Sequence, residues 1–469
     1  MSDQSLAKII IYGGAEQLAR AVRYAPDQLN LIDEYGYTPL IQTAIVNDLA
    51  KAEILLSAGA EVDMPDLTGR TALFWAADNQ NLALCQLLLE HHANPNAYSS
   101  GGQPVLVMPM MKGARDVVEL LQQHGAKLSF AQDFLNAKLM GHSFELEGRI
   151  DIVDTGNTYI EVELEGFYLQ FTVAIIANLL NEFRNHFAAR VYRKESDNFG
   201  VMLTALRNAS RLLEKQNYLI KLEHYQRQID SWLSVSPLIL PIAFDGHAIV
   251  LMRVGNYLIR CDRGAFGADH GAVIFYRIGR SNSFDKQLCK DLLYRRQGRE
   301  FIDRTIINRL SLQPELVLDL PLQVTGNCSW ANVEAVLPSL LLALKLKQQG
   351  ANTDTAKLKK EVLEFYNYWQ GWHRERELLF CIQSMEGAEI NRQTTKAALL
   401  VAILVQSCSA QLTSDRIKIK RIIKVLNDPR FMPALASYVK VLSKYPGHPL
   451  WKNLQMILDS NGINTAGLT

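Results

Sequence analysis

In a chain of 469 residues, 49 lysines and arginines stand against 48 aspartates and glutamates. The resulting net charge of +1 excludes a global electrostatic case for nucleic-acid or membrane-surface binding. A hydrophobic content of 48% excludes an intrinsically disordered chain, and the length leaves room for about two to four domains with a substantial core.

The opening MSDQSLAKIIIYGG has no basic n-region and too short an apolar run for a signal peptide, so no cleaved leader is expected. The next stretch repeats every 33 residues. EYGYTPL (34–40), DLTGRTAL (66–73) and SGGQPVL (100–106) align with Gly36, Gly69 and Gly102 in register. Asn30, Asp63 and Asn96 share the period, as do Leu55, Leu88 and Leu121. TPL-like openings and the closings LLSAGAEVD (55–63), LLLEHHANPN (87–96) and LLQQHGAKLS (120–129) resemble ankyrin repeats. Each such unit is a helix pair and a hairpin with too little core of its own, so units stack. Residues 1–33 read as a degenerate capping unit and 100–130 as a fourth repeat, with Thr38 and Thr71 able to cap first helices.

The ankyrin resemblance implies a binding module that takes a protein partner. The concave column after the TPL word is Gln42, Trp75 and Met108, and the hairpin column is Tyr37, Arg70 and Gln103, with Tyr35 beside it. Aromatic, Met and Arg side chains on one face suit a protein-binding surface. Trp75 also reads as a packing residue between helices. Asn96 sits where ankyrin asparagines are often hydroxylated by a eukaryotic asparaginyl hydroxylase, which makes it a candidate modification site.

FELEGRIDIVDTGNTYIEVELEGFYLQFTV (144–173) alternates apolar and polar residues around TGN, predicting a β-hairpin or meander. Helical patterning follows from about 175 to 232, and SPLILPIAF (236–244) leads into strands. From 328 the chain reads as helical, broken at 348–354, 385–393 and 445–449. The run AALLVAILV (397–405) falls far short of the ~20 residues that span a bilayer and reads as a buried helix. RIKIKRIIKVL (416–426) is a basic amphipathic helix, read as docked on the core over a nuclear-import or anionic-surface role. The expected architecture is therefore multidomain: an α-helical ankyrin solenoid of about four repeats (1–130), an α+β domain (131–345) and a helical C-terminal region (346–469).

The six cysteines are scattered, without C-x-x-C spacing, and fit free thiols. One of them has a chemical context. FDGHAIVLMRVGNYLIRCDRGAFG (244–267) reads as strand, tight turn at Gly255-Asn256, strand. A hairpin pivoting there brings His247 and Asp262 nearly opposite each other. A carboxylate beside an imidazole sets its tautomer and stabilises the imidazolium. In QVTGNCSWANVEA (323–335), Gly326 and Asn327 make a turn and apolar residues then recur at helical spacing, so Cys328 should start a helix. Helix dipole and imidazolium would lower its pKa. Gln323 and the Cys328 backbone N–H are candidate oxyanion donors. Pro338 should kink the helix ten residues in.

These words resemble the His, Asp and Gln…Cys motifs of papain-like-fold cysteine peptidases. The resemblance implies His247 as base, Asp262 as orienter, Gln323 as oxyanion donor and Cys328 as nucleophile. The order is that of the SUMO-protease and adenovirus-protease group, and is similar to the YopJ acetyltransferases. No Trp follows His247, and Cys328 is followed by Ser-Trp. The whole chain resembles the ankyrin effectors that Legionella injects into host cells, with DFLNAKLMGHSFELEGRIDI (133–152) and GNCSWANVEA (326–335) as supporting words. That implies type IV secretion and action on a host protein in the host cytoplasm or nucleus. Two readings stay open: a thiol hydrolase or acyltransferase, and a pseudoenzyme scaffold acting only through its ankyrin repeats. No phosphate loop, GxGxxG turn or metal-ligand spacing occurs, so neither cofactor nor metal is expected. No membrane span and no direct nucleic-acid binding are expected either.

Overall fold

The computed structural model describes residues 6–166, 169–216, 220–244, 246–323, 326–350 and 354–464. Residues 6–126 carry four helix pairs: Leu6–Tyr12 with Ala15–Tyr24, Pro39–Ile45 with Leu49–Ser57, Ala72–Asp78 with Leu82–Glu90, and Val107–Lys112 with Arg115–Gln123. Thr38 and Thr71 cap their helices as the sequence suggests, each hydroxyl accepting the N–H three residues on, from Ile41 and Phe74. The hairpins are wound around carboxylates, Asp33 partly buried and Asp66 buried. Asp33 Oδ1 accepts the Tyr35 and Tyr37 N–H groups at 2.9 Å, and Asp66 Oδ1 accepts those of Thr68 (2.8 Å) and Arg70 (3.0 Å). Gly36 and Gly69 lie at φ of +87° and +79°, and any Cβ there would strike the next unit, at Leu67 and at the Ser100 backbone. The column at 30, 63 and 96 ties successive units together. Asn30 accepts from Glu61 N, Asp63 accepts from Asn94 N, and Asn96 Nδ2 donates to the Gly125 carbonyl at 3.0 Å.

Backbone contacts divide the chain into two compact units: 1–100, 105–126 and 166–371, and then 101–104, 127–165 and 372–469. The ankyrin helices and the central sheet share the first unit. The second unit holds the long helix Leu128–Ser143 and the hairpin of β1 (Arg149–Val153) and β2 (Tyr159–Glu163), paired antiparallel around the TGN turn. Its core gathers Met140, Phe144 and Leu164 with Val401, Ile403, Ile422 and Leu454. The 397–405 run is buried here, inside helix Ile390–Gln406. The basic helix Arg416–Leu426 turns Ile419, Ile422, Ile423 and Leu426 inward, which is the docked arrangement.

In the first unit, the helix expected from about 175 begins earlier, at Leu169, and runs to Asn185. The LQFTV end of the expected strand is thus helical: Val173, Ile176, Leu180 and Phe183 recur at helical spacing, and the helix is buried nearly all round from Phe171 to Ala177. The unit is built on a five-stranded antiparallel meander: β3 (Leu238–Phe244), β4 (His247–Val254), β5 (Tyr257–Cys261), β6 (Val273–Ile278) and β7 (Leu312–Leu318). Ile249 and Leu251 of β4 join a cluster with Leu212, Leu240, Leu288 and Leu310. Alternation leaves Val250 and Met252, both fully buried, to the other face, where Cys261 of β5 meets Ser339 at 3.7 Å. That face carries the apolar helices Cys328–Glu334 and Val336–Gln349. Pro338 falls in the first turn of the second helix, and the ladder breaks at Ala335 just before it. Helix Thr355–Gln383 follows the second of these.

Asp66 is 6% exposed and its carboxylate receives four donors, the last being Trp75 Nε1 at 3.0 Å. Replacing it by Ala should destabilise the chain by about 2–3 kcal/mol in a denaturant titration. An unchanged midpoint would mean that this hairpin is held by packing alone.

Candidate active site

The β4–β5 ladder sets the geometry. It pairs Val254 with Tyr257 and ends at Val250 with Cys261. Extended by three residues, that register puts residue 264 opposite His247. Residue 264 is glycine, and a Cβ there would come within 2.8 Å of His247 Cε1 and 3.3 Å of Asp262 Oδ1. Only a residue without a side chain lets the imidazole lie across the strand end. Asp262, 1% exposed, then reaches the ring, with His247 Nε2 donating to Oδ1 at 2.9 Å. The Gly264 N–H also donates to Oδ1, at 3.2 Å, and Arg260 donates to Oδ2 at 2.7 Å. Arg260 is itself fixed by Asp303 at 2.6 Å and by the face of Phe266, 3.5 Å beneath its guanidinium.

With Nε2 committed to Asp262, the other ring nitrogen is available to Cys328. Hydrogen bonds to Asp262 first, then to Cys328, raise the His247 pKa to about 9 against the opposing effect of burial. For Cys328, burial pushes the thiol pKa up, but hydrogen bonds from His247 and from the Ala248 N–H outweigh it and bring it below its ordinary value. The other five cysteines behave differently. Cys85, Cys261, Cys289, Cys381 and Cys408 are buried, and burial drives each up to about 12. Cys328 is the half-exposed one. Asp262 is also lowered: burial alone would raise it, and His247 and Arg260 overcome that. The raised His247 pKa means its charged contacts stabilise the fold fully below about 6.5 and cease to do so as pH rises through about 9.

One residue the sequence reading missed joins these parts. Asn332, one turn beyond Cys328 and 0% exposed, donates to the Ala248 carbonyl at 2.7 Å and accepts from the Arg263 N–H at 2.7 Å. A longer contact, 3.5 Å, runs from its Nδ2 to Gln323 Oε1. Gln323 is held from the other side by its own N–H to the Arg263 carbonyl at 2.9 Å. Its Oε1 thus faces Asn332, which leaves its Nε2 hydrogens as donors. Residues 324 and 325, between Gln323 and Cys328, lie outside the described residues. Arg263, also missed, is buried and donates to the Pro321 carbonyl at 2.6 Å. Its Nη1 lies 3.7 Å from Glu334, which accepts from Tyr366 and Gln370 at 2.7 and 2.9 Å. The available signals were a polar Asn on an otherwise apolar helix, an Arg-Cys-Asp-Arg run and the Gly after it. Among the described residues no three His, Cys, Asp or Glu side chains gather as a metal site.

The ankyrin surface differs from its expectation. Gln42, Gln103 and Met108 are buried, at 1%, 7% and 5% exposure, and present almost no contact area. Gln42 is drawn in by the hairpin carboxylate, donating to Asp33 Oδ2 at 2.8 Å, the same contact that Trp75 makes with Asp66. Trp75 and Tyr37 are half-buried and meet edge to face, and Arg70 lies over Trp75 at 5.2 Å. Tyr35 is 56% exposed. The Asn96 amide is engaged with Gly125.

Residues 40–131 match the family model for ankyrin repeats in three copies. A solved structure, that of the Legionella effector AnkH, superposes with a TM-score of 0.90 at 36% identity, covering 98% of each chain. Curated relatives match over shorter stretches: the ankyrin repeat protein nuc-2 of Neurospora crassa at 28% identity over 118 residues, and mouse (Mus musculus) ankyrin repeat domain-containing protein 63 at 33% over 130. These cover 25% and 26% of the chain, which spans 11% and 33% of those proteins' own lengths.

Gly264 has φ −87° and ψ −152°, extended backbone, so Gly264→Ala tests the contact of a Cβ with the His247 ring and the Asp262 carboxylate without left-handed backbone strain. The variant should keep its unfolding midpoint to within about 1 kcal/mol while Cys328 alkylation at neutral pH slows about tenfold or more. Equal alkylation rates would mean that the His247 ring position does not govern the thiol. Asp262→Asn should lower the His247 pKa, raise that of Cys328 and move the alkylation profile to more alkaline pH.

Proposed function

The chain belongs to the family of the Legionella effector AnkH, and from that premise we propose an effector that holds a host protein on its ankyrin repeats and carries a thiol-dependent acyl-transfer centre. Cys328 is the nucleophile, His247 the base, Asp262 its orienter, and the Gln323 amide with the Cys328 N–H the oxyanion donors. The observation that carries this reading is the contrast among six thiols: five buried and raised to about 12, one half-exposed and lowered by contact with a histidine that is itself raised to about 9. A resting thiolate–imidazolium pair is what nucleophilic cysteine chemistry requires.

The reaction runs in two steps. The thiolate adds to an acyl carbon, the C–S bond forms, and the carbonyl electron pair moves to the oxygen facing the Gln323 amide. Collapse expels the leaving group, which takes the imidazolium proton and leaves a thioester on Cys328. Water, or an acceptor hydroxyl or amine, then gives its proton to His247 as it attacks the thioester, and Cys328 leaves as the thiolate. Water as acceptor makes the protein a hydrolase, and an amine or hydroxyl makes it a transferase. Arg260 and Arg263 take no part in the bonds but hold Asp262 and the loop beside it.

An activated ester such as p-nitrophenyl acetate tests this by intact mass. One acetyl group should appear on Cys328, vanish in Cys328→Ala, and form about a hundredfold more slowly in His247→Ala. Acylation at equal rates in wild type and His247→Ala would remove the base from the mechanism. If no acylation occurs and host-partner binding survives Cys328→Ala, the chain is a scaffold that uses its repeats alone.

A further inference from the structure

A second concavity lies away from Cys328, in the same unit, where the last ankyrin helix pair meets the helices Leu169–Asn185 and Ser196–Leu213. Its volume is about 560 Å³, within the size range of small-molecule sites. Arg115, Arg207, Arg211, Asn178, Asn181 and Ser210 line it. At its floor Lys112 is buried and already balanced, 2.8 Å from Asp78 and 3.4 Å from Glu214. The three arginines are exposed, and none of their side chains makes an ion pair or hydrogen bond among the described residues.

Their positions are electrostatically poor for a folded chain left alone. Arg207 and Arg211 stand one turn apart on one helix face, where like charges repel. Arg115 opens the helix Arg115–Gln123, at the end where the helix dipole disfavours a cation. Overall basicity does not explain the cluster, because the chain is balanced to within one charge. Three guanidinium forks face one lining carboxylate, Glu214, which Lys112 already engages, and with the Asn178 amide held by Glu182 the donors left to a ligand are chiefly the arginines. That set matches oxyanions bearing several oxygens, above all phosphate, which guanidinium binds in a bidentate fashion.

We propose that this cavity binds a soluble small molecule carrying two or more phosphate groups. A single phosphate would engage one or two of the three arginines, whereas a chain or ring of phosphates spans the cavity and relieves all three. The site stands independently of the acyl-transfer reading, since no residue is shared.

Titration calorimetry of the full chain with inorganic tripolyphosphate, at constant ionic strength and against sulfate as reference, tests it. Wild type should show saturable binding of tripolyphosphate and none of sulfate at matched ionic strength. Arg207→Gln and Arg115→Gln, on different helices, should each weaken binding about tenfold or more, and the triple variant with Arg211→Gln should abolish it. All three side chains are exposed, so the variants should keep the wild-type unfolding midpoint. Should one variant fail to fold, the other single substitution still decides the matter. No saturable binding to wild type, sulfate binding as tightly, or undiminished binding in the triple variant would overturn the proposal.

Discussion

Two hydrogen bonds of 2.7 Å, from one buried amide, hold the candidate active site together. Asn332 spends its donor on the carbonyl beside His247 and its acceptor on the N–H beside Asp262. The helix that presents Cys328 is thereby locked to the two strand ends that present its partners. At 0% exposure neither bond competes with water, and losing either would strand a backbone group in the core. The Cys–His contact depends on that frame, because a misplacement of about 1 Å can cost a reacting group most of its effect.

Around that frame, each charged group has a reason to be buried. Arg260 neutralises the second oxygen of Asp262, so the carboxylate stays ionised at 1% exposure and keeps its first oxygen for His247. Arg263 and Glu334 face each other beneath the loop, with Tyr366 and Gln370 donating to the same glutamate oxygen, Oε2. Gly264 contributes by lacking a side chain. The same burial that suits a structural thiol raises five cysteines beyond reach of neutral chemistry, and the sixth escapes because it meets a histidine and a backbone N–H at a strand end.

Much of this was legible in the residues. A 33-residue period, threonine caps and a Gly-Asn turn each act locally, so the repeats, the caps and the β4–β5 register follow from spacing alone. The proximity of His247 and Asp262 rests on that register. What spacing does not carry is the third dimension. The ladder stops at Cys261, so the partner across from His247 is a glycine and the aspartate reaches back by two residues. Asn332 reads in sequence as a polar interruption of an apolar helix, and only the packed sheet gives it partners. Gln42 and Met108 occupy a concave column by periodicity, yet the hairpin carboxylate and neighbouring helices bury them. Strand and helix also share an apolar run at 169–173, where alternation and helical spacing agree over five residues and tertiary packing decides.

The proposed acyl-transfer chemistry requires Cys328 to rest as a thiolate with His247 protonated beside it. The ultraviolet absorbance of the thiolate, followed against pH as the difference between wild type and Cys328→Ser, measures this directly. A thiolate signal already present at neutral pH, and lost there in His247→Ala, is the predicted result. A signal that first appears in the alkaline range of an ordinary thiol, and is the same with and without His247, would contradict it.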